Sequence, residues 1–130
     1  MAIAVYNSLT GATTPLPAST DEKVVGIKLN TGNNVSLFWT VFGKVVVNNT
    51  TASPSTVRAQ LKAVPPGTVL DTSRATVPAN GFVSISLEGV PPETDAAMCV
   101  EIHCEASSSA TAELARLIAI SVNPASVVTC

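Results

Sequence analysis

Cys99, Glu101, His103 and Glu105 follow one another at every second position, and His103 is the single histidine of the chain. On an extended strand all four project from one face, and Cys, His and Glu are the ligand types of a zinc site. Residues two apart on a strand lie about 6.6 Å from each other, so ligands in a line do not close a tetrahedron. An outward polar face accounts for the pattern better. The same residues offer a thiolate–imidazole couple, Cys99 with His103, but no third group that would orient the ring is identifiable. Asp21-Glu22 and Glu93-Thr94-Asp95 are acidic pairs in expected loops, and carboxylates without a positioned partner do not make a glycosidase. The sequence has no Gly-x-Gly-x-x-Gly and no Gly-x-x-x-x-Gly-Lys, the loops that cradle phosphates. Trp39 is the one candidate shelf for a sugar, although Phe38-Trp39-Thr40-Val41-Phe42 fits core plus one exposed ring better. Asn34-Val35-Ser36 and Asn49-Thr50-Thr51 match the glycosylation acceptor pattern, an accidental match if the chain is not secreted. These residues predict no catalytic, cofactor-binding or metal site, no cofactor, and no enzyme.

The elements that carry these residues read as strands. Val, Thr and Ser, types that suit strands and turns, supply 46 of the 130 residues. Short apolar segments recur between clusters of Gly, Pro, Asn, Ser and Thr. Strands are expected near Ile3–Tyr6, Val24–Leu29, Val35–Val41, Lys44–Asn48, Thr56–Ala63, Phe82–Leu87, Met98–Glu105 and Leu114–Val122. In Thr56–Ala63, Val57, Ala59, Leu61 and Ala63 share a face. Val83, Ile85 and Leu87 do so in the next segment, and Met98, Val100, Ile102 and Cys104 in the one after. Gly43 reads as a bulge or a turn between two strands, and Asn80-Gly81 as a tight turn. Ala112–Val122 fits either period: Leu114, Leu117 and Ile118 make a helical stripe, while Ile118, Ile120 and Val122 alternate as in a strand, the preferred reading. The fold class is all-β, a single two-sheet sandwich of jelly-roll or immunoglobulin-like kind with about eight strands and irregular N- and C-terminal arms. The divisions are 1–22 for an N-terminal strand and arm, 23–122 for the sandwich, and 123–130 for a C-terminal arm.

Charge narrows the partners. The net charge is −2 and only 12 % of residues are charged, so no basic footprint for nucleic acid exists. No apolar run reaches the roughly 18 residues of a membrane helix. Neither nucleic acid nor membrane is an expected partner. Residues 1–62 carry a net +3 and residues 63–130 a net −5. That split makes the subunit polar if the halves occupy different surfaces, and cancels if they interleave. The N-terminus lacks a charged segment followed by a long apolar one, so no secretory signal is expected. Cys99, Cys104 and Cys130 are an odd number, unsuited to an internal disulfide framework. They are either reduced thiols or, for Cys130, a bond to another chain.

The two arms are apolar where free tails are polar. Ile3, Val5, Leu9, Leu16, Val127, Val128 and Cys130 are therefore the candidate intersubunit contacts. One sandwich (roughly 24–122), a leaderless start and terminal arms resemble the small β-sandwich decoration, or cement, proteins of tailed phages. That resemblance implies oligomers seated on capsid subunits, a virion location and assembly in the host cytoplasm, with copies of the chain and a capsid lattice as partners. Arg116–Val122 after Val100–Cys104 also resembles the closing strands of bacterial surface proteins, which implies instead a filament on a cell or spore surface. A carbohydrate-binding module using Trp39 is the third class.

Overall fold

The computed structural model describes residues 3–9, 13–29, 38–65, 67–92 and 97–122. Among them are nine strands and no helix: β1 (Ile3–Leu9), β2 (Thr14–Leu16), β3 (Glu22–Leu29), β4 (Phe38–Asn49), β5 (Ser55–Val64), β6 (Thr68–Val77), β7 (Gly81–Gly89), β8 (Met98–Ala106) and β9 (Ala110–Val122). They form two antiparallel sheets. The first runs β1-β9-β4-β7, with β2 also on β9, and the second runs β3-β8-β5-β6.

The pairing is nested. β1 and β2 meet β9, β3 meets β8, β4 meets β7, and β5 meets β6. This long folded ribbon is then rolled so that β4 joins β9 and β5 joins β8. Such a roll is the double Greek key of a jelly roll, and it decides between the two sandwich types that the sequence allows. It also places early and late residues side by side, so the opposite net charges of the two halves meet rather than separate.

Alternation sets the layers. Val57, Ala59, Leu61 and Ala63 on β5, with Val100, Ile102 and Cys104 on β8, are buried against Trp39, Val41, Val45 and Val47 of β4 and Leu117 of β9. Gly43 is neither bulge nor turn. β4 runs continuously through it, and a Cβ there would stand 2.9 Å from Ile102 Cδ1 and 3.2 Å from Leu117 Cδ2. The missing side chain lets those two residues close the core from opposite sheets. The two strands expected at 35–41 and 44–48 are thus one, and residues 35–37 lie outside the described set. Two strands were not expected, β2 and β6. β2 takes part of the segment read as an arm, and Leu16 is fully buried in the core of its own chain. Leu16 is therefore a core residue with no surface to offer a neighbour.

β9 is a strand as preferred, but it starts at Ala110, and residues 107–109 before it cross from one sheet to the other. Its ladder with β4 shifts between Lys44 and Val46. Leu114 and Ala115 stand opposite Val45 alone, and Leu114 takes a left-handed φ of 50°. This bulge changes which residues point inward. Ala115, Leu117 and Ala119 are buried, whereas Ile118 and Ile120 lie on the outer face. The alternation of Ile118 and Ile120 is real, yet it faces away from the core.

Polar groups tie the sandwich at the end where β4 meets β5. Asn49 is 1 % exposed. Its Nδ2 donates to Ser53 O at 2.8 Å and Val77 O at 3.3 Å, and its Oδ1 accepts from Thr51 N and Thr51 Oγ1. Ser55 Oγ donates to Ser108 O at 2.8 Å. At the turn before β7, Asn80 alone takes the left-handed φ, 53°. Gly81 is there for room, since a Cβ would lie 2.7 Å from Pro78 Cγ.

Candidate functional site

The outer face of the second sheet gathers the residues with the most chemistry. Because Val100, Ile102 and Cys104 of β8 face the core, Cys99, Glu101, His103 and Glu105 face outward as the spacing requires. Asp21, expected in a loop with no positioned partner, is laid over this face by the crossing from β2 to β3. His103 Nδ1 lies 2.9 Å from Asp21 Oδ2, and His103 Nε2 lies 2.9 Å from Glu101 Oε1. A neutral imidazole has one N–H, so both contacts are made together only when both nitrogens carry protons. Neither nitrogen is then left to hold a metal, and no group of three metal-ligating side chains occurs among the described residues.

Around His103 the charges cancel. Lys23 pairs with Glu101 at 3.3 Å and Arg58 with Glu105 at 2.9 Å, while Lys62 and Arg58 reach Asp21 at 3.6 and 3.8 Å. Every cation in these pairs comes from the positive half of the sequence; two of the four pairs end on carboxylates of the negative half, and the other two end on Asp21. Burial pushes the Glu101 carboxyl up, but hydrogen bonds from His103 and Lys23, with their charges, outweigh it and hold it below the ordinary carboxylate value. Cys104 is buried beneath this face. Desolvation, with a smaller contribution from Asp21, pushes its thiol up to about 12, so at neutral pH it is an inert thiol. Cys99 is four residues from His103 along one strand, about 13 Å, too far for a thiolate–imidazole couple. The arrangement is a neutralised charge network that holds Asp21 onto the sheet.

A pH dependence follows from Glu101. Its lowered folded-state value makes a stabilising contribution that is present above the ordinary glutamate range of about 4.3. It is lost as pH falls through the lowered value. Glu101→Gln is expected to cost no more than about 1 kcal/mol at pH 6, because water screens the exposed Lys23. Urea midpoints of variant and wild type should draw together as the pH falls below the ordinary glutamate range; a gap that does not narrow would assign Glu101 a packing role instead.

The outer face of the first sheet is different in kind. Phe42 of β4 stands directly opposite Ile118 of β9 and Glu88 of β7. Phe42 is 42 % exposed, Ile120 38 % and Leu114 60 %. Beside them lies an open trough of about 510 Å³ lined by Phe42, Lys44, Ser86, Glu88, Arg116 and Ile118, with Asp71 at its rim. Asp71 Oδ2 accepts from Glu88 N at 3.0 Å and so caps the edge strand β7. Trp39 takes no part. It is 2 % exposed, a core ring, which removes the sugar shelf; Phe42 is an exposed ring of the same segment, and the Phe38 side chain lies outside the described ones. Asn49 is no glycan acceptor either, since its amide is spent inside the fold; Asn34 lies outside the described residues.

The candidate contacts divide in the same way. β1 places Ile3, Val5 and Leu9 along β9, in register with Val122, Ile120 and Arg116. Val127, Val128 and Cys130 lie outside the described residues.

No family model matches the chain, and no curated protein matches it. Solved structures do. That of the infectious bursal disease virus Gx strain is 13 % identical, with a TM-score of 0.58 over 98 % of this chain and 35 % of that one. The T13 viral particle of the same virus is 13 % identical, with a TM-score of 0.57 over 93 % and 31 %. Its VP2 subviral particle is 9 % identical, with a TM-score of 0.57 over 93 % and 33 %. The chain spans about a third of the length of each of these proteins. What it has in common with these viral-particle proteins is the jelly roll itself.

Proposed function

We propose that this chain is a non-enzymatic structural subunit of a repetitive assembly, a virion protein that decorates and stabilises a phage capsid. The observation that carries this reading is the apolar outer face of β4 and β9. Phe42, Ile118 and Ile120 sit outside a core that is already complete, and a self-sufficient monomer gains nothing from exposing them. The fold is compatible with the role, since structures of viral particles contain it. Among the described residues no nucleophile lies within hydrogen-bond reach of a base. Copies of the chain and a capsid lattice are the partners, and the location is the virion. Ile3, Val5 and Leu9, together with Val127, Val128 and Cys130, add contacts at the ends of the chain. Burying each of the larger apolar side chains contributes about 1.5–3 kcal/mol before ordering costs.

Sedimentation and electron microscopy of the purified protein test the reading. Defined oligomers or particles are expected. Deleting Asn123–Cys130 should leave the circular dichroism spectrum unchanged and weaken assembly, with Cys130→Ser having the smaller effect. A protein that stays monomeric and associates with no shell would overturn the proposal.

A further inference from the structure

The outer face of β7, β4 and β9 carries charge in a form that its own chain does not satisfy. Lys44 and Arg116 are directly opposite each other in the β4–β9 register, and both are exposed. Like charges in that position repel. Neither makes an ion pair among the described residues, in contrast to Lys23, Arg58 and Lys62 on the other sheet. Glu88 is exposed as well, and its carboxylate has no partner among the described residues. It stands opposite Phe42, which is two residues along β4 from Lys44. A cationic pair, an apolar centre and an anion thus lie within one small patch.

We infer that this face seats a second copy of the same chain across a two-fold axis near Phe42, with Lys44 of each copy against Glu88 of the other. The inference rests on the reading of the chain as an assembly subunit and names the contact. Two-fold symmetry makes the pairing reciprocal, because whatever brings Lys44 to Glu88 also brings Glu88 to Lys44. An axis between these two residues passes close to Phe42 and Ile118 and sets each near its own counterpart. Arg116, beside Lys44, adds to the positive side of both charge contacts. The dimensions suit such a contact. Three strand widths at about 4.8 Å and the 12 residues of β4 outline a face of about 14 by 40 Å. That flat outline, about 560 Å², approaches the ~800 Å² of accessible surface that each partner gives to a standard interface.

A charge exchange tests it, read by sedimentation equilibrium, with circular dichroism confirming that each variant is folded. Lys44→Glu places carboxylates at both positions, and Glu88→Lys places ammonium groups at both. Each variant alone is expected to dimerise at least tenfold more weakly than wild type. An equimolar mixture should restore a heterodimer, because every facing pair is then opposite in sign. Wild type that associates while both variants associate equally well would overturn this contact and leave the assembly reading standing. Wild type that stays monomeric at about 1 mM, where a dimer would be worth only about 4 kcal/mol, would overturn both.

Discussion

Asn49→Asp is expected to lower the unfolding free energy by about 3–5 kcal/mol, although it changes the side chain by one atom. The amide nitrogen is the atom that donates to Ser53 O and Val77 O, and Asn49 has almost no contact with water. In the aspartate an oxygen would face those two carbonyls, so two hydrogen bonds become two repulsions around a buried charge. The chain would respond by protonating the carboxyl or by opening the end of the sandwich, and either costs stability. Asn49→Ala removes the donor without adding charge and should cost less, about 2 kcal/mol. Urea unfolding followed through Trp39, the one tryptophan, measures both. Equal losses for the two variants would show that the lost donor, and not the added charge, sets the cost. A loss below about 1 kcal/mol for aspartate would mean that the end of the fold is wetter than its burial implies.

Trp39→Ala is expected to cost about 3–5 kcal/mol, and in a domain of ordinary stability that is a third or more of the total. Trp39 is the largest fully buried side chain, in a core otherwise built of Val, Ala, Leu and Ile with Met98 and Cys104. The chain has five aromatic residues, and Phe42 and Phe82 are exposed. Among the described residues no second ring is packed in the core to refill the space, and the cavity persists. Trp39→Phe keeps most of the contact and should lose clearly less. Thermal unfolding by circular dichroism is the measurement, because the fluorescent reporter is removed. If alanine proved as stable as phenylalanine, the ring would not be supporting the two sheets.

How much of this was legible in the sequence depends on whether one face of a strand is dry. β5 and β8 bury one face completely and β7 buries the Ile85 and Leu87 part of one, and Val57–Ala63, Val83–Leu87 and Met98–Cys104 display that as strict alternation. β6 buries only its last residue, Val77, and its Asp71, Thr72, Ser73 and Arg74 sit on an edge where neither face demands apolar groups. Its strand character comes from its partner β5 rather than from its own composition. β2 is too short to have a period. Gly43 misled because a glycine within a strand has two causes, a break in the ladder or a close approach from across the core. The sequence does not say which, and Ile102 lies 59 positions away.

The site was legible in the same uneven way. That Cys99, Glu101, His103 and Glu105 face outward follows from period two. The partner of His103 does not, because Asp21 reaches it across 82 positions by a path that only the roll of the ribbon defines. The apolar outer face of β9 was hidden by a different cause. Hydrophobicity marks what is out of water, and it does not say whether the shelter is the chain's own core or a neighbour's surface.

The bulge at Leu114 has a consequence for how such a chain could acquire or lose its partners. One extra residue there sets the phase of everything downstream, so that small alanines go to the interior and isoleucines to the exterior. Laying the same letters in unbroken alternation from Ala112, with no bulge, would invert that phase. The isoleucines would turn toward the interior, and Ala115, Leu117 and Ala119 would be left outside. The bulge thus acts as a parity bit. In one setting the strand hides its bulk, and in the other it displays it, which makes the difference between a domain that lives alone and one that is a tile.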